Sequence, residues 1–318
     1  MKFSLVIPLA PERNAEILDS IKKLNYPKSD FHVIVVKGKN PSDNRNRGAE
    51  KAKGEIIGFL DDDAIVDEDL LKNVEEFFNE FKDIEVVGGP QLTPYDERGF
   101  AKLSSYALSS KFGAWNLTRR YSKGNLNLNA DESFITSANL FVKKEVIDKI
   151  KFDPSLFPGE DPKFIDDVKR YGFKVAYSPN LILYHRRRPT IRGFIKQIFN
   201  YGKVRPAKES FFQTLKMPFF LIPSLFLIYL IILFGSIIFN PTITGGVIGI
   251  ENNINYSLIG LLWLFPLLLY IFISLSFSIY DSIKNKDYKA ILFLPFIYSL
   301  VHLSYGSGMI FGYIKKLK

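Results

Sequence analysis

The chain has 318 residues, of which 47% are apolar and 24% charged; its formal charge is +9 and it has no cysteine. That length leaves room for about two domains. The composition excludes a disordered chain, and the lack of thiols excludes disulfides, thiolate metal sites and a cysteine nucleophile. The charge is uneven. Residues 1–184 carry 27 Lys+Arg and 29 Asp+Glu, residues 185–216 carry nine and one, and residues 217–318 carry six and three. A near-neutral main body excludes nucleic acid as the partner and places the basic excess directly before an apolar region. Met1 and Lys2 precede only a short apolar run ending before Pro11-Glu12-Arg13, so no secretory signal is expected.

Phe3 to Pro8 (FSLVIP) is a short apolar run, expected to form a buried strand. Ile17, Leu18, Ile21 and Leu24 recur at helical spacing and predict a helix over residues 12–24. Strands are expected at 31–36 (FHVIVV) and 56–60 (IIGFL), with a helix at 43–53 between them. Asp61-Asp62-Asp63 ends the third strand. A helix over 67–81 follows, with Leu70, Leu71, Val74, Phe77, Phe78 and Phe81 on its apolar face. Residues 84–87 read as a strand. This βαβα order predicts a doubly wound, mainly parallel α/β sheet with its ligand site at the carboxyl ends of the strands. Beyond Gly89 regularity falls. A surface loop is expected at 111–130, strands at 135–142, 174–177 and 181–184, and helices at 144–150 and 164–171.

The next 32 residues hold the basic block. Ile191, Phe194, Ile195, Ile198 and Phe199 follow an i, i+3, i+4, i+7, i+8 pattern, and Arg188, Arg192 and Lys196 form a row on another face. That predicts an amphipathic helix at a membrane interface, with membrane lipid as a partner. Plain positive-inside charge is the equal alternative. Three segments, about 217–239, 258–279 and 290–313, are long and apolar enough to span. The third holds Pro295, Gly306, Gly308 and Gly312, so a kinked span, paired half-helices or a re-entrant piece are alternatives for it. Its Gly308-x-x-x-Gly312 reads as flexible packing and its His302 as a packing histidine. The connector 240–257 has no Lys or Arg, whereas 281–289 has three lysines. The large N-terminal part is therefore expected in the cytoplasm of a multi-pass cell-membrane protein. Three spans would leave Lys315-Lys316-Leu317-Lys318 outside, against the rule.

Two acidic clusters can carry chemistry. Carboxylates crowded at a strand end repel unless a cation joins them. Asp61 and Asp63 point the same way on an extended chain, which suits a hard divalent ion shared with a phosphate. A bare D-x-D is more often a polar turn, and its place after IIGFL is what favours a site. In Gly159-Glu160-Asp161 the carboxylates stand at a helix start, where capping is the simpler role and general base catalysis the alternative.

These pieces resemble the membrane-bound family 2 glycosyltransferases, over about Lys2 to Arg205. VIPLAPE resembles the family's V-I-P-x-x-N-E. Arg45-Asn46-Arg47-Gly48 with Ala52-Lys53-Gly54-Glu55 resembles R-N-x-G…A-x-G-E. FLDDDA resembles F-L-D-x-D, and PGEDPKFIDDVKRYGFKVAYSP with His185 resembles G-E-D…R…G…P…H. Pro11 stands where the family has Asn, and Lys37-Gly38-Lys39 where it often has Asp-Asp-Gly-Ser.

The resemblance implies a GT-A domain at 1–184, a basic juxtamembrane segment at 185–216 and a transmembrane region at 217–318. It implies that Asp61, Asp63 and His185 hold Mg or Mn, with an exposed strand-end histidine as the alternative for His185. Asp161 becomes the base, and Glu160 positions the acceptor or the helix. Pro8, Ala10, Glu12, Arg45, Asp61 and Asp62 line the donor pocket. Arg188, Gln197, Tyr201 and Arg205 meet the acceptor phosphate or the interface. The implied reaction is inverting transfer from a nucleotide sugar, UDP-linked rather than GDP-linked, to a lipid-linked glycan or polysaccharide precursor. The alternatives are a polyprenyl-phosphate sugar synthase and a non-catalytic membrane scaffold with a degenerate transferase domain.

Overall fold

The structure is a computed structural model and describes residues 1–156, 158–208, 211–239 and 254–316. It divides into two compact units, Met1–Pro189 and Thr190–Lys318.

In the first unit the order is β1 (Phe3–Leu9), α1 (Ile17–Ile21), β2 (Phe31–Lys37), α2 (Pro41–Glu50), β3 (Ile56–Leu60), β4 (Ala64–Val66), α3 (Leu70–Glu80), β5 (Val86–Gly88), β6 (Gln91–Leu92), α4 (Gly99–Leu108), α5 (Lys111–Ala114), a 3-10 turn (Trp115–Arg120), β7 (Asn139–Lys143), α6 (Lys144–Ile147), α7 (Glu160–Tyr171), β8 (Val175–Tyr177) and β9 (Leu183–His185). The main sheet runs β2-β1-β3-β7-β5-β8. Every neighbouring pair is parallel except the two that involve β7. The expected α/β class holds, with one antiparallel strand inserted.

The sheet is buried on both faces, which is why its strands read as continuous apolar runs. Phe3, Leu5 and Ile7 of β1 pack with α1 and α3 on one face, through Ile17, Ile21, Leu70, Leu71, Val74, Phe77 and Phe78. Val6 points to the other face with Ile57 and Phe59, where Val146, Ile147, Phe164, Ile165 and Val168 cover them. The period of two along each strand divides the two layers.

Three expectations change in detail. The helix expected over 12–24 shrinks to Ile17–Ile21, because residues 10–16 are bent into a turn (Arg13 N to Ala10 O, 3.1 Å) and α1 opens on a bond from Ile17 N to the Asp62 carbonyl, 3.1 Å. The loop expected at 111–130 contains α5 and the 3-10 turn. Helix α4 and the strands β4 and β6 carry no sequence signal that predicts them; β9 falls on the strand expected at 181–184, but its pairing with them into a second sheet, β4-β9-β6, was not expected. These strands have two or three residues each, too short to show a period.

In the second unit the order is α8 (Ile191–Lys208), α9 (Phe211–Leu215), a 3-10 turn (Pro218–Phe220), α10 (Ile222–Phe239), α11 (Ile254–Lys284), a 3-10 turn (Tyr288–Leu292) and α12 (Leu294–Lys316). Among the described residues two stretches are long and apolar enough to cross a membrane, Pro218–Ser236 and Leu262–Lys284, with mean hydropathy 2.4 and 2.1. Only 17% and 11% of those stretches are buried, unlike the core helices of a soluble protein. The third expected span forms α12, one continuous helix rather than paired half-helices, and it is not one of these two stretches. Residues 240–253, most of the expected outer connector, and residues 317–318 of the tail lie outside the described residues.

The Gly308-x-x-x-Gly312 pair does more than loosen a helix. A Cβ at Gly308 would stand 2.0 Å from the Phe199 carbonyl oxygen, at Gly312 2.3 Å from that of Lys203, and at Gly202 2.1 Å from that of Tyr305. Glycine lets the backbones of α8 and α12 touch. His302 packs as expected, with Nδ1 2.9 Å from the Tyr270 hydroxyl.

Candidate functional site

Strand β3 is buried along its whole length, so Asp61-Asp62-Asp63 emerges at its carboxyl edge. The chain turns at once into β4, whose Ala64 pairs with His185 of β9. This register sets the imidazole beside the triplet. His185 Nε2 lies 3.0 Å from Asp63 Oδ1 and 3.8 Å from Asp61 Oδ2. Ligand atoms of these three residues all fall within 4.8 Å of one another. Asp62 points away from them, and its Oδ1 meets Arg13 Nη1 at 3.1 Å.

Two arginines tie the triplet down. Arg13, on the turn after β1, donates from Nη2 to Asp63 Oδ2 at 2.5 Å. Arg45 projects from α2, a helix capped by the Asn40 side chain on Ser42 N and Asp43 N, with Pro41 in its first turn. Its Nη2 donates to Asp61 Oδ1 at 3.2 Å and its Nη1 to Glu160 Oε1 at 2.9 Å, with Asp161 Oδ1 3.9 Å away. Phe152 supports the guanidinium, its ring centroid 5.5 Å away. Glu160 and Asp161 open α7 behind Gly159, whose φ of +124° suits glycine. The Ser137 hydroxyl donates to Asp161 Oδ1.

Five carboxyl groups thus face two guanidiniums. Burial pushes the Glu160 carboxyl up to about 7, with Asp161 adding to the rise and Arg45 opposing it. Burial pushes Asp62 up to about 6 against the pull of Arg13. Burial also raises Asp61, although Arg45 and His185 oppose it. Asp63 is the exception. Burial would raise it, but the hydrogen bond and charge of His185, then those of Arg13, hold it well below the usual carboxylate range. Both arginines are held above their ordinary value, because the surrounding acids outweigh the cost of burial.

The donor set fits a divalent cation. His185 Nδ1 lies 2.9 Å from the Arg186 carbonyl, which can only accept, so Nδ1 carries a proton. That leaves Nε2, which faces an oxygen of Asp63 and one of Asp61, as the ring atom that could ligate an ion shared with them. Asp61 and Asp63 each have one oxygen held by an arginine and the other turned toward His185. Two carboxylates and one imidazole suit Mg²⁺ or Mn²⁺, the imidazole favouring Mn²⁺.

The other expected site residues are dispersed. Pro8 is buried near the end of β1, and Ala10 and Glu12 lie on the turn after it, Glu12 exposed. Arg188 is exposed three residues after His185. Gln197, Tyr201 and Arg205 belong to the second unit. There Gln197 Nε2 donates to the Tyr201 hydroxyl at 3.0 Å, and the buried Arg205 stacks 3.6 Å over the Phe220 ring. Sequence reasoning missed Arg13 and Ser137. Arg13 directly follows the VIPLAPE motif, where a cation could have been matched to the acidic triplet. Nothing in the sequence singles out Ser137.

Residues 11–151 match the family Glycosyl transferase family 2. The chain is 26% identical over 212 residues to the minor teichoic acid biosynthesis protein GgaB of Bacillus subtilis (strain 168), covering 65% of this chain and 20% of that one. It is 23% identical over 273 residues to the dolichyl N-acetyl-alpha-D-glucosaminyl phosphate 3-beta-D-2,3-diacetamido-2,3-dideoxy-beta-D-glucuronosyltransferase of Methanococcus voltae, covering 74% and 83%. The chain thus spans a fifth of the length of the first relative and most of the second. The crystal structure of S. aureus TarS 1-349 in complex with UDP is similar at 18% identity and a TM-score of 0.45, over 63% of this chain and 64% of that one. Over residues 11–151, within the N-terminal unit, the chain is thus similar to the family 2 glycosyltransferases, on a mixed, mainly parallel α/β sheet.

Proposed function

We propose that the protein is an inverting, metal-dependent glycosyltransferase. It moves a sugar from a nucleotide donor, UDP-linked, to a lipid-linked glycan or polysaccharide precursor at the cytoplasmic face of the cell membrane. The observation that carries this reading is the convergence of Asp61, Asp63 and His185 beside the Arg45–Glu160–Asp161 cluster. Asp61, Asp63 and His185 would hold a divalent cation, which when bound would supply charge for the departing diphosphate, and Arg13 and Arg45 fix the rotamers of the two carboxylates.

Asp161 serves as the base. The acceptor oxygen attacks the anomeric carbon as the bond to the diphosphate breaks, and the acceptor proton goes to the Asp161 carboxylate. One displacement inverts the anomeric centre. The Ser137 hydroxyl orients Asp161, while Glu160 is committed to Arg45 and positions the cluster. Pro8, Ala10, Glu12 and Asp62 belong to the donor side. The name of the Methanococcus relative describes a dolichyl phosphate sugar as acceptor, which supports a lipid-linked acceptor here. The two long apolar helices support a membrane location.

A polyprenyl-phosphate sugar synthase is the second reading. A phosphate acceptor is already ionised and needs no base, so the Ser137-oriented Asp161 favours a hydroxyl acceptor. The test is donor hydrolysis and transfer with a panel of UDP and GDP sugars, in native lipid extract, with Mn²⁺ or with chelator. Metal-dependent transfer from a UDP sugar is expected. If no donor is hydrolysed or transferred, and Asp63→Ala leaves nucleotide binding unchanged, the reading falls.

A further inference from the structure

The second unit contains a relationship that the three-span expectation does not accommodate. Helices α8 and α12 lie side by side in the same direction. The Phe199 carbonyl faces Gly308, the Lys203 carbonyl faces Gly312, and Lys316 Nζ donates to the Pro206 carbonyl at 2.6 Å. Both chains advance together along this contact, so any depth that α12 takes in a bilayer α8 takes as well. Helix α8 carries Arg192, Lys196, Lys203, Arg205 and Lys208, with Arg192 and Lys196 exposed. A spanning α12 would drag these five cations across the hydrocarbon, where charge is costly.

Among the described residues, α12 meets α10 near its start and meets α11 from Tyr270, against His302, to its last turn. Tyr229 of α10 donates to the Trp263 carbonyl of α11 at 2.6 Å, and the Phe226 and Tyr270 rings stack at 4.3 Å, so the two helices run antiparallel. Ser224, in the first turn of α10, donates to the Gly306 carbonyl at 3.2 Å. Tyr298 donates to Asp281 Oδ2 at 2.6 Å, within the last turn of α11, and Ser278 donates to the Ile291 carbonyl at 2.7 Å. The start of α10 and the end of α11 are the same end of an antiparallel pair.

We infer that the protein crosses the membrane twice, through α10 and α11. Helices α8 and α12 form a paired platform across the end of that hairpin, seated in the interface of the leaflet on the catalytic side. The partner of this platform is an anionic lipid headgroup layer. Arg192 and Lys196 supply the complementary charge, and the exposed Phe211, Phe212 and Ile314 supply apolar side chains for the acyl boundary. The arrangement also removes the charge conflict. The lysines at 284, 286, 289, 315, 316 and 318 all fall on the side of the basic block, and the connector without Lys or Arg is alone on the other.

This inference rests on the membrane part of the proposed function, and one experiment separates the two. The chain has no cysteine, so single cysteines report cleanly. Asp19→Cys, Asn252→Cys, Lys286→Cys and Lys315→Cys in the full chain, in sealed vesicles of both orientations, are treated with a membrane-impermeant maleimide. Lys315→Cys is expected to react from the side of Asp19→Cys and Lys286→Cys, and Asn252→Cys from the opposite side. Labelling of Lys315→Cys with Asn252→Cys overturns the platform but keeps the membrane location. Labelling of all four from one side overturns both. Depth gives the second arm. A fluorophore on Ser307→Cys, in vesicles of phosphatidylglycerol and phosphatidylcholine, is expected to be quenched more by headgroup-level than by tail-end nitroxide lipids. The reverse order places the middle of α12 at the bilayer centre and overturns the platform.

Discussion

Arg13 and His185 hold opposite oxygens of one carboxylate. Asp63 Oδ2 accepts from Arg13 at 2.5 Å, and Oδ1 lies 3.0 Å from His185 Nε2. The arginine therefore fixes the rotamer of Asp63 from behind, on the side away from the shared metal-binding point. It also places a positive charge close to where a cation would sit.

Removing that charge has two opposed effects on metal binding. Arg13→Ala frees the Asp63 rotamer, but it also removes the repulsion between a guanidinium and a divalent ion. For partly exposed charges the repulsion amounts to about 1 kcal/mol, a factor of about five. Arg13 is half-exposed and Asp63 stays tethered by His185, so the charge effect is expected to win. Mn²⁺ should bind Arg13→Ala about fivefold more tightly, as read from the free-ion resonance signal, while turnover falls. Weaker Mn²⁺ binding would mean that orientation is the main service of Arg13.

Asp161 and Ser137 test the base. Asp161→Asn is isosteric and keeps a hydrogen bond to Ser137, but it cannot take a proton. General base catalysis contributes roughly 10²–10⁴ in rate. Transfer to a hydroxyl acceptor should fall by about that factor with donor affinity unchanged, as measured by turnover and by nucleotide-sugar titration. Ser137→Ala should lower turnover less, by roughly tenfold, since it loosens the base without removing it.

Glu160 predicts a pH dependence of stability. Its carboxyl is raised from 4.5 to about 7 in the folded chain, chiefly by burial. Between those values the folded state binds more protons than the unfolded state, so this group makes stability fall as pH rises from about 4.5 toward 7. Glu160→Gln removes the titration but keeps an acceptor for Arg45. Thermal melts across that window should show a shallower loss of stability in the variant than in the parent. Arg45→Met is the harsher change, because it leaves Glu160 and Asp161 facing each other without the guanidinium. Breaking a buried pair from one side costs about 3–5 kcal/mol, so that variant should melt far lower at pH 8.

Much of this site was legible because its chemistry sits at strand ends. The continuous apolar run IIGFL marks β3, and the acids follow it in sequence. Asp61 and Asp63 converge and Asp62 diverges, as alternation on an extended chain requires. The approach of His185 depended on β4 and β9, three residues each, whose pairing is a long-range event without a local pattern. Arg13 escaped for a related reason. Helical spacing from Ile17 to Leu24 suggested a helix beginning near residue 12, yet the contacts of the preceding turn with Asp62 and Asp63 hold those residues out of it. In the second unit, apolar length is readable from composition, whereas the partner of α12 is not. Hydropathy counts residues on all faces, and the small and polar residues of α12 face protein.

The contact between α8 and α12 can be tested by a single methyl group. At Gly308 a Cβ would stand 2.0 Å from the Phe199 carbonyl oxygen, a backbone atom that cannot swing aside. At Gly235, in α10, a Cβ meets nothing within 4 Å. Both are helical glycines, so the propensity gain from Gly to Ala, up to about 1 kcal/mol, is common to the two substitutions. Gly235→Ala should therefore leave the melting temperature in detergent unchanged or slightly higher. Gly308→Ala must separate the helices, and overpacking of this kind typically costs about 1–3 kcal/mol, so its melting temperature should fall. Equal behaviour of the two variants would mean that the close approach of these backbones is not what holds α12 in place.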